Sequence, residues 1–350
     1  MAIRSNMKIL RWNCIKNAIA AFMFANIFAV CIPQHTFAQI TPDATLPSPS
    51  VVVDTNPLFT ITGGTTANSS LFHSFSQFSL PTGTEAFFDN SALIQNILVR
   101  VTGNSISSID GLISANSTAN LFLINPSGIL FGQNASLNIG GSFLATTANS
   151  IRFLDGNEFR ANANTQTTSP LLLVSAPVGL QFNGLTNGAI SATQGTPALS
   201  VQTGRTLALV GGDVTLQGAN LFAESGRIEL GSVAGNGFVA ISQTGNGLSL
   251  SYDNAPSLGN IRLDQESVAN TSGLNGGGNI QVQGRQVTLE GGSELQSSTF
   301  SNGNGGDVFV RATELFAINR DSNTLLSSIG ADSNSSGKGG NIIISCYAEA

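Results

Sequence analysis

Charge is scarce in this chain: only 10% of its 350 residues are Asp, Glu, Lys or Arg. The 14 cations are outnumbered by 20 acidic residues, so the basic face that a nucleic-acid partner requires is missing. Ordinary disorder is excluded as well, because disordered chains combine high net charge with low hydrophobicity, and 41% of this one is apolar. Cysteine is nearly absent. Cys14 and Cys31 lie within the first 38 residues, which leaves Cys346 alone, with no internal disulfide to form and no zinc-ligand spacing. Helical patterning is also lacking: apolar residues do not recur at i, i+3 and i+4, and Gly or Pro interrupts almost every window of about a dozen residues. What is abundant is Gly, at 39 residues, with Asn, Ser, Thr, Val, Ile and Leu. That mixture predicts an all-β protein of many short strands and turns around a large core.

Residues 1–38 differ in kind. Arg4, Lys8, Arg11 and Lys16 form a positive start, residues 18–32 are almost wholly apolar, and Thr36, Phe37 and Ala38 make a small-residue cleavage site before Gln39. This is the pattern of a secretory signal peptide. A membrane anchor fits less well, since the apolar stretch is short and no stop-transfer flank follows. Val30 before Cys31 does not suit lipoprotein cleavage. Removing the peptide leaves half as many cations as carboxylates, with Lys338 the one remaining lysine.

In the second half a pattern of Gly, a polar residue, Val or Ile, any residue and an aliphatic recurs. It reads "GDVTL" from Gly212, "GRIEL" from Gly226, "GNIRL" from Gly259, "GNIQV" from Gly278, "GDVFV" from Gly306 and "GNIII" from Gly340. The third and fifth residues of each copy point to one face of a strand and the second and fourth to the other. Irregular intervals suit a solenoid with loops of varying length, in which stacking buries an aliphatic column that no single unit could bury. The first choice is a right-handed parallel β-helix. A β-propeller comes second, because blade signals such as Trp-Asp are missing. At roughly 20 to 30 residues per coil and ~4.8 Å per coil, a rod of about 10 to 14 coils and ~50 to 65 Å is expected. Loops are expected at "ANANTQTTSP", "TSGLNGG" and "SNSSGKGG".

One stretch, "ANLFLINPSGILFG" at residues 119–132, places apolar runs on both sides of Asn125, Pro126, Ser127 and Gly128. Asn-Pro-Ser-Gly predicts a type I turn, with the Asn side chain bonding the backbone two residues on and Pro fixing φ at the next position. "LFLI" is apolar on both faces, whereas an ordinary β-helix strand has one polar face. Phe122 and Ile124 therefore need a cover outside the rod or a partner; Phe72, Phe75, Phe78, Phe87 and Phe88 are candidates for the cover. An open strand edge here would suit strand addition by a partner.

With "LFHSFSQFSLPTG", "IQNILVRVTG", "SIDGLI" and "ANLFLINPSGILFGQNASLNIGGSFLATTANSIRF", residues 54–153 resemble the N-terminal secretion domain of filamentous haemagglutinin-like exoproteins, in wording that looks like the cyanobacterial branch. The resemblance implies a right-handed β-helix with extra-helical β elements near the N-terminus. It also implies export by two-partner secretion, in which periplasmic modules of a dedicated outer-membrane β-barrel transporter recognise the domain and the chain folds at the cell surface. The family's Asn-Pro-Asn-Gly-Ile motif falls on Asn125, Pro126, Ser127, Gly128 and Ile129, with Ser127 replacing an Asn; these five are the expected transporter-recognition residues. The family's Asn-Pro-Asn-Leu signature is not present, and "QNILVRVTG" occupies its neighbourhood. The expected organisation is a signal peptide at 1–38, a secretion domain at 39–175 and irregular repeats at 176–350. The chain stops just after a fresh repeat, which leaves truncation of a longer exoprotein open beside a short one.

Chemistry is sparse. His73 is the one histidine after the leader and reads as packed or solvated rather than catalytic. No Gly-x-Ser-x-Gly elbow appears, and "GNGGDVFV" departs from a calcium nonapeptide because no tandem copy exists. The competing class, a β-helix polysaccharide lyase or hydrolase, needs carboxylates clustered in a groove. Asp264 with Glu266, and Asp307 with Arg311, share a strand face but read as solvated charges. The expectation is thus a non-enzymatic, adhesin-like exoprotein without cofactor or metal, secreted or at the cell surface of a Gram-negative-type bacterium, with its outer ligand, a cell surface or glycan, unidentified. Amino-terminal sequencing of exported protein should begin at Gln39; secreted material that retains Met1 would contradict the leader.

Overall fold

The computed structural model describes residues 40–161, 176–193, 198–245, 247–319 and 325–346. Among these residues all regular structure is strand. Each coil runs through three strands in turn. A first face stacks Ser70–Phe78, Asn96–Val101, Asn120–Ile124, Phe143–Thr146, Thr206–Gly211 and Arg227–Ser232. It continues with the leading parts of Asn279–Leu289 and Val308–Ile318 and ends in Ile342–Cys346, all parallel. The second face stacks Ser107–Ile109, Ile129–Phe131, Ile190–Thr193, Val214–Gln217, Asn260–Asp264 and the trailing half of Asn279–Leu289. The third runs from Leu58–Gly63 through Glu85–Phe88 and Leu112–Ala115 to Ser136–Asn138. It resumes with Leu199–Ser200, Asn220–Phe222, Val268–Asn270, Glu294–Gln296 and Ser328–Gly330. Parallel neighbours one coil apart define a β-helix; a propeller would need antiparallel blades.

The repeats do what their alternation predicts. Leu71, Ile97, Leu121, Phe143, Leu207, Ile228, Ile280 and Val308 pair in one continuous register along the first face and are buried in the central core. Their intervals are irregular because the motif marks two different corners. The copies at Gly226, Gly278, Gly306 and Gly340 precede first-face strands, and those at Gly212 and Gly259 precede second-face strands. The glycine is there for close approach. A Cβ on Gly306 would lie 1.7 Å from the Gly278 carbonyl oxygen, and one on Gly278 2.2 Å from that of Gly226, so a side chain would push successive coils apart. The polar second residue also ties coil to coil: the Asn260 amide donates to Asp213 at 2.7 Å, Asp307 to Asn279 at 3.0 Å and Asn341 to Asp307 at 2.9 Å.

Among the described residues nine strands stack on the first face, fewer than the coil number expected from length. The difference lies in two excursions, each leaving from the end of a first-face strand. They build a separate antiparallel sheet in the order Glu158–Arg160, Ser150–Phe153, Pro177–Phe182, Gly237–Thr244, Gly247–Asn254. Extra-helical strands therefore occur in mid-chain as well as near the N-terminus, where Ile40–Pro42 and Thr65–Ala67 add antiparallel to Ser70–Phe78. The "TSGLNGG" and "SNSSGKGG" segments are loops between third-face and first-face strands, and most of "ANANTQTTSP" lies outside the described residues.

The antiparallel sheet supplies the missing cover. Phe72, Leu98, Phe122, Leu144 and Ala208 form the outer column of the first face and pack in a second core with Ile151, Phe153, Phe159, Leu180 and Phe182 of the sheet and Leu46 of the N-terminal segment. Phe72 meets Phe159 and Phe153 edge-on, with ring centroids at 5.0 and 5.9 Å. The expectation that the Phe72–Phe88 region covers Phe122 and Ile124 is corrected here. Phe75, Phe78 and Phe88 lie in the central core, and Phe72 shares the column that needs covering. The period of two explains Phe72 and Phe75: along Ser70–Phe75 the side chains alternate between the rod's interior and its outer side, and Phe78, beyond that register, is back in the core. His73 falls on the interior side, buried against Phe75 and Phe88, with Nδ1 3.0 Å from Ser50 Oγ; burial lowers its pKa to about 4, so it is neutral at pH 7.

Candidate functional site

Residues 125–129 form the corner that carries the chain from the first face to the second. The Gly128 amide donates to the Asn125 carbonyl at 3.1 Å, closing the turn, and the Ser127 amide donates to Asn125 Oδ1 at 3.0 Å. The side-chain amide of Asn125 reaches back to the preceding coil, donating to the Ser105 carbonyl at 3.1 Å and to Ser107 Oγ at 2.9 Å. The coil above is tied in by its backbone: Asn125 N–H donates to Thr146 and Ile129 N–H to Ala189. Gly128 has φ of +126°, and a Cβ there would stand 3.1 Å from the Ala189 carbonyl oxygen. Asn125, Gly128 and Ile129 are buried, while Pro126 and Ser127 are half-buried. The five residues are brought together, but as an interlock between coils rather than a projecting surface.

The strand leading into the corner has no open edge. Asn120–Ile124 is paired on one side with Asn96–Val101 and on the other with Phe143–Thr146, and Phe122 and Ile124 are buried. The open edge foreseen at this strand is absent from the folded rod, because the coils on both sides are complete. The cleavage residues Ala38 and Gln39 lie outside the described residues.

Beside the corner lies a cluster that the sequence reading missed. Arg100, from "NILVRV", points to the outer side of the first face and is fully buried. Its Nε donates to Ser74 Oγ at 2.8 Å, Nη2 to Thr45 Oγ1 at 2.7 Å and Nη1 to the Arg160 carbonyl at 2.6 Å, and its guanidinium lies 4.7 Å from the centre of the Phe159 ring. One cation thus joins the N-terminal segment, the rod and the antiparallel sheet. Asp43 closes the network: its carboxylate accepts from Ser74 Oγ at 2.8 Å, from Thr102 Oγ1 at 2.6 Å, and from Thr45. Burial pushes the Asp43 carboxyl up, but hydrogen bonds from Thr102, Thr45 and Ser74 outweigh it and hold it below its ordinary value. Burial lowers the Arg100 pKa to about 10, with Asp43 opposing, so both groups are charged at neutral pH. The one available signal was an Arg inside an otherwise apolar strand, which by alternation alone reads as an outward, solvated charge.

The charged pairs raised for an enzymatic reading have structural partners. Asp264 pairs with Arg262 at 2.7 Å, which also holds Glu290, and Asp307 accepts the Asn341 amide of the next coil. Among the described residues, no group of three or more His, Cys, Asp or Glu is placed to hold a metal ion.

A parallel β-helix with an apolar outer face sealed by an antiparallel sheet is the class of protein that this architecture defines. The chain belongs to the TPS secretion domain family, whose sequence model matches residues 38–284, more than half of its length. It is accordingly an exoprotein of two-partner secretion, recognised by a partner transporter and exported across the outer membrane of a Gram-negative bacterium. Among solved structures it is similar to the HMW1 secretion domain from Haemophilus influenzae, with 17% identity over 85% of this chain and 97% of that one, at a TM-score of 0.43. It is likewise similar to a filamentous hemagglutinin secretion domain, with 15% identity over 87% of this chain and 99% of that one, at a TM-score of 0.43. No curated protein matches the chain in sequence.

Breaking a buried ionic network by removing one partner typically costs about 3–5 kcal/mol. Arg100→Met should therefore lower the unfolding free energy by ~3 kcal/mol and loosen the N-terminal segment, read by urea denaturation and by protease cleavage near Asp43. A loss below about 1 kcal/mol, the worth of one ordinary hydrogen bond, would mean that the cluster is incidental.

Proposed function

We propose that the transporter reads residues 125–129 in the extended chain, before the rod closes, and that the exported product acts outside the cell as an adhesin-like rod. The observation that carries this is the burial of the motif. Asn125 is fully buried and Asn120–Ile124 has a strand on each side, so the folded corner offers a partner little beyond Pro126 and Ser127. In an unfolded chain the same backbone donors and acceptors are free, and "NLFLI" is extended and apolar, as strand addition by a periplasmic module requires. Closing the coil would then withdraw the recognised segment and release the chain from its transporter. In this reading the secretion domain at 39–175 carries recognition, and residues 176–350 lengthen the rod that displays a surface to a cell or glycan ligand. Whether the rod stays on the surface or is released depends on that outer contact.

Export assays with the partner transporter test the first claim. Asn125→Ala with Pro126→Ala should reduce export severalfold while the purified protein keeps its β-rich circular dichroism. Removing Asn125's buried amide also costs stability, of the order of 1–3 kcal/mol, so Arg100→Met serves as the control. It destabilises the folded rod without touching the motif and should be exported normally. Normal export of the double variant would reduce the motif to a turn, and equal loss in Arg100→Met would assign the effect to folding.

A further inference from the structure

Glu229 is the one carboxyl group among the described residues with no solvent exposure. It projects from Arg227–Ser232 on the outer side of the first face, between Ala208 and Gln281 in the strands on either side. The hairpin strand Gly247–Asn254 lies over it. The Leu250 amide donates to Glu229 Oε1 at 3.3 Å, and Gln281 Nε2 donates to the Leu250 carbonyl at 2.8 Å. Arg227 Nε reaches the same Oε1 at 2.5 Å, which leaves the second carboxyl oxygen alone. Two further buried polar atoms at this contact have no partner, Tyr252 Oη from the hairpin and Gln283 Oε1 from the rod. The Tyr252 hydroxyl fills the space beside Gly231, 1.8 Å from where a Cβ would stand, and Gln283 is Gly231's register partner.

The hydrogen count of this contact decides its chemistry. As placed, Glu229 Oε2 and Gln283 Oε1 are two buried acceptors without a donor, and the Tyr252 hydroxyl can serve at most one of them. A protonated Glu229 adds a donor at the carboxyl oxygen that has no partner. A buried carboxylate oxygen without a donor is costly, so the placement of Oε2 favours the protonated state. We propose that Glu229 is a proton-operated latch: neutral, it fastens the hairpin of residues 237–254 onto the rod, and ionised, it lets that hairpin lift and bare the apolar outer face beneath.

The surroundings agree. Burial raises the Glu229 pKa to about 7, with Arg227 pulling the other way, and burial together with Glu229's charge raises the Tyr252 hydroxyl well above its ordinary value. Arg227 is the cation on its own strand, and the neighbouring strands face it with Ala208, Gln281 and Gln283. The hairpin faces it with Tyr252, while Asp253 is exposed and bonded to Ser251. In the closed state Glu229 keeps its proton up to about pH 7, whereas in a lifted hairpin it titrates near its ordinary 4.5. Opening therefore becomes easier, by up to roughly tenfold per pH unit, as the pH rises from 4.5 to about 7, and levels off above. His73 works in the opposite sense. It is held neutral with its pKa lowered from 6.5 to about 4, so its contribution is lost as the pH falls through that interval. Whole-molecule denaturation mixes the two effects, and the latch has to be read locally.

The test is hydrogen–deuterium exchange of peptides from residues 237–254 in the mature full chain, from pH 4.5 to 8.5, corrected for intrinsic exchange. Wild type should lose protection by up to about tenfold per unit below pH 7 and then plateau, and Glu229→Gln, which keeps a donor at that oxygen, should stay protected and flat. Tyr252→Phe should be less protected throughout with the slope retained, and it carries the test should Glu229→Gln fail to fold. A flat wild-type profile, an unchanged slope in Glu229→Gln, or loss of the slope in Tyr252→Phe would each overturn the latch.

Discussion

Through its first five strands the first face of the rod carries an apolar column on both of its sides, and much of the molecule is arranged around that constraint. Its inner column, from Leu71 to Val308, is buried by the other two faces, as in any three-sided solenoid. Its outer column, Phe72, Leu98, Phe122, Leu144 and Ala208, has no such partner within the coil and requires a second layer. Burying a Phe or Leu side chain is worth roughly 1.5–3 kcal/mol, so leaving the column wet would consume much of a typical domain's net stability of 5–15 kcal/mol. Both excursions leave from the ends of first-face strands and return over that column. The N-terminal segment does the same through Leu46, and Arg100 fastens all three layers together.

Such a molecule is held together by contacts between successive coils. Its coils are joined by backbone ladders, by glycines that let carbonyls of adjacent coils approach, and by Asn and Asp side chains that accept amides of the next coil. Cys346 is the one cysteine among the described residues and is free, so no disulfide ties these coils together. Each closed coil offers the next a template edge, and the corner of residues 125–129 ties three coils at once: back to Ser105 and Ser107, onward to Thr146 and Ala189.

Local signals carried much of this. Alternation within "GDVTL" and its relatives places Val214 and Leu216, Ile228 and Leu230, and Ile280 and Val282 in the core, where they are found. Asn-Pro-Ser-Gly spelled out its own turn, and "LFLI" announced that a cover was needed. The identity of the cover could not be read, because Ile151, Phe153, Leu180 and Phe182 reach Phe122 through a sheet whose pairing is set by distant parts of the chain. Arg100 and Glu229 were illegible for a related reason. Each sits at an outward position of an alternating strand, which reads as solvated, and only the extra layer turns outward into buried. His73 is the reverse case, a polar residue at an interior position, tolerated because Ser50 lies beside its ring.

The claim that the outer column is sealed can be measured by thiol labelling. In a Cys346→Ser background, Leu144→Cys places a probe under the antiparallel sheet, and Leu130→Cys places one on the half-buried outer side of the second face. A covered column predicts that the native protein labels at position 144 at least about a hundredfold more slowly than at 130, through opening of the sheet alone. Comparable rates at the two positions would show that the first face is not covered in solution and would contradict the account.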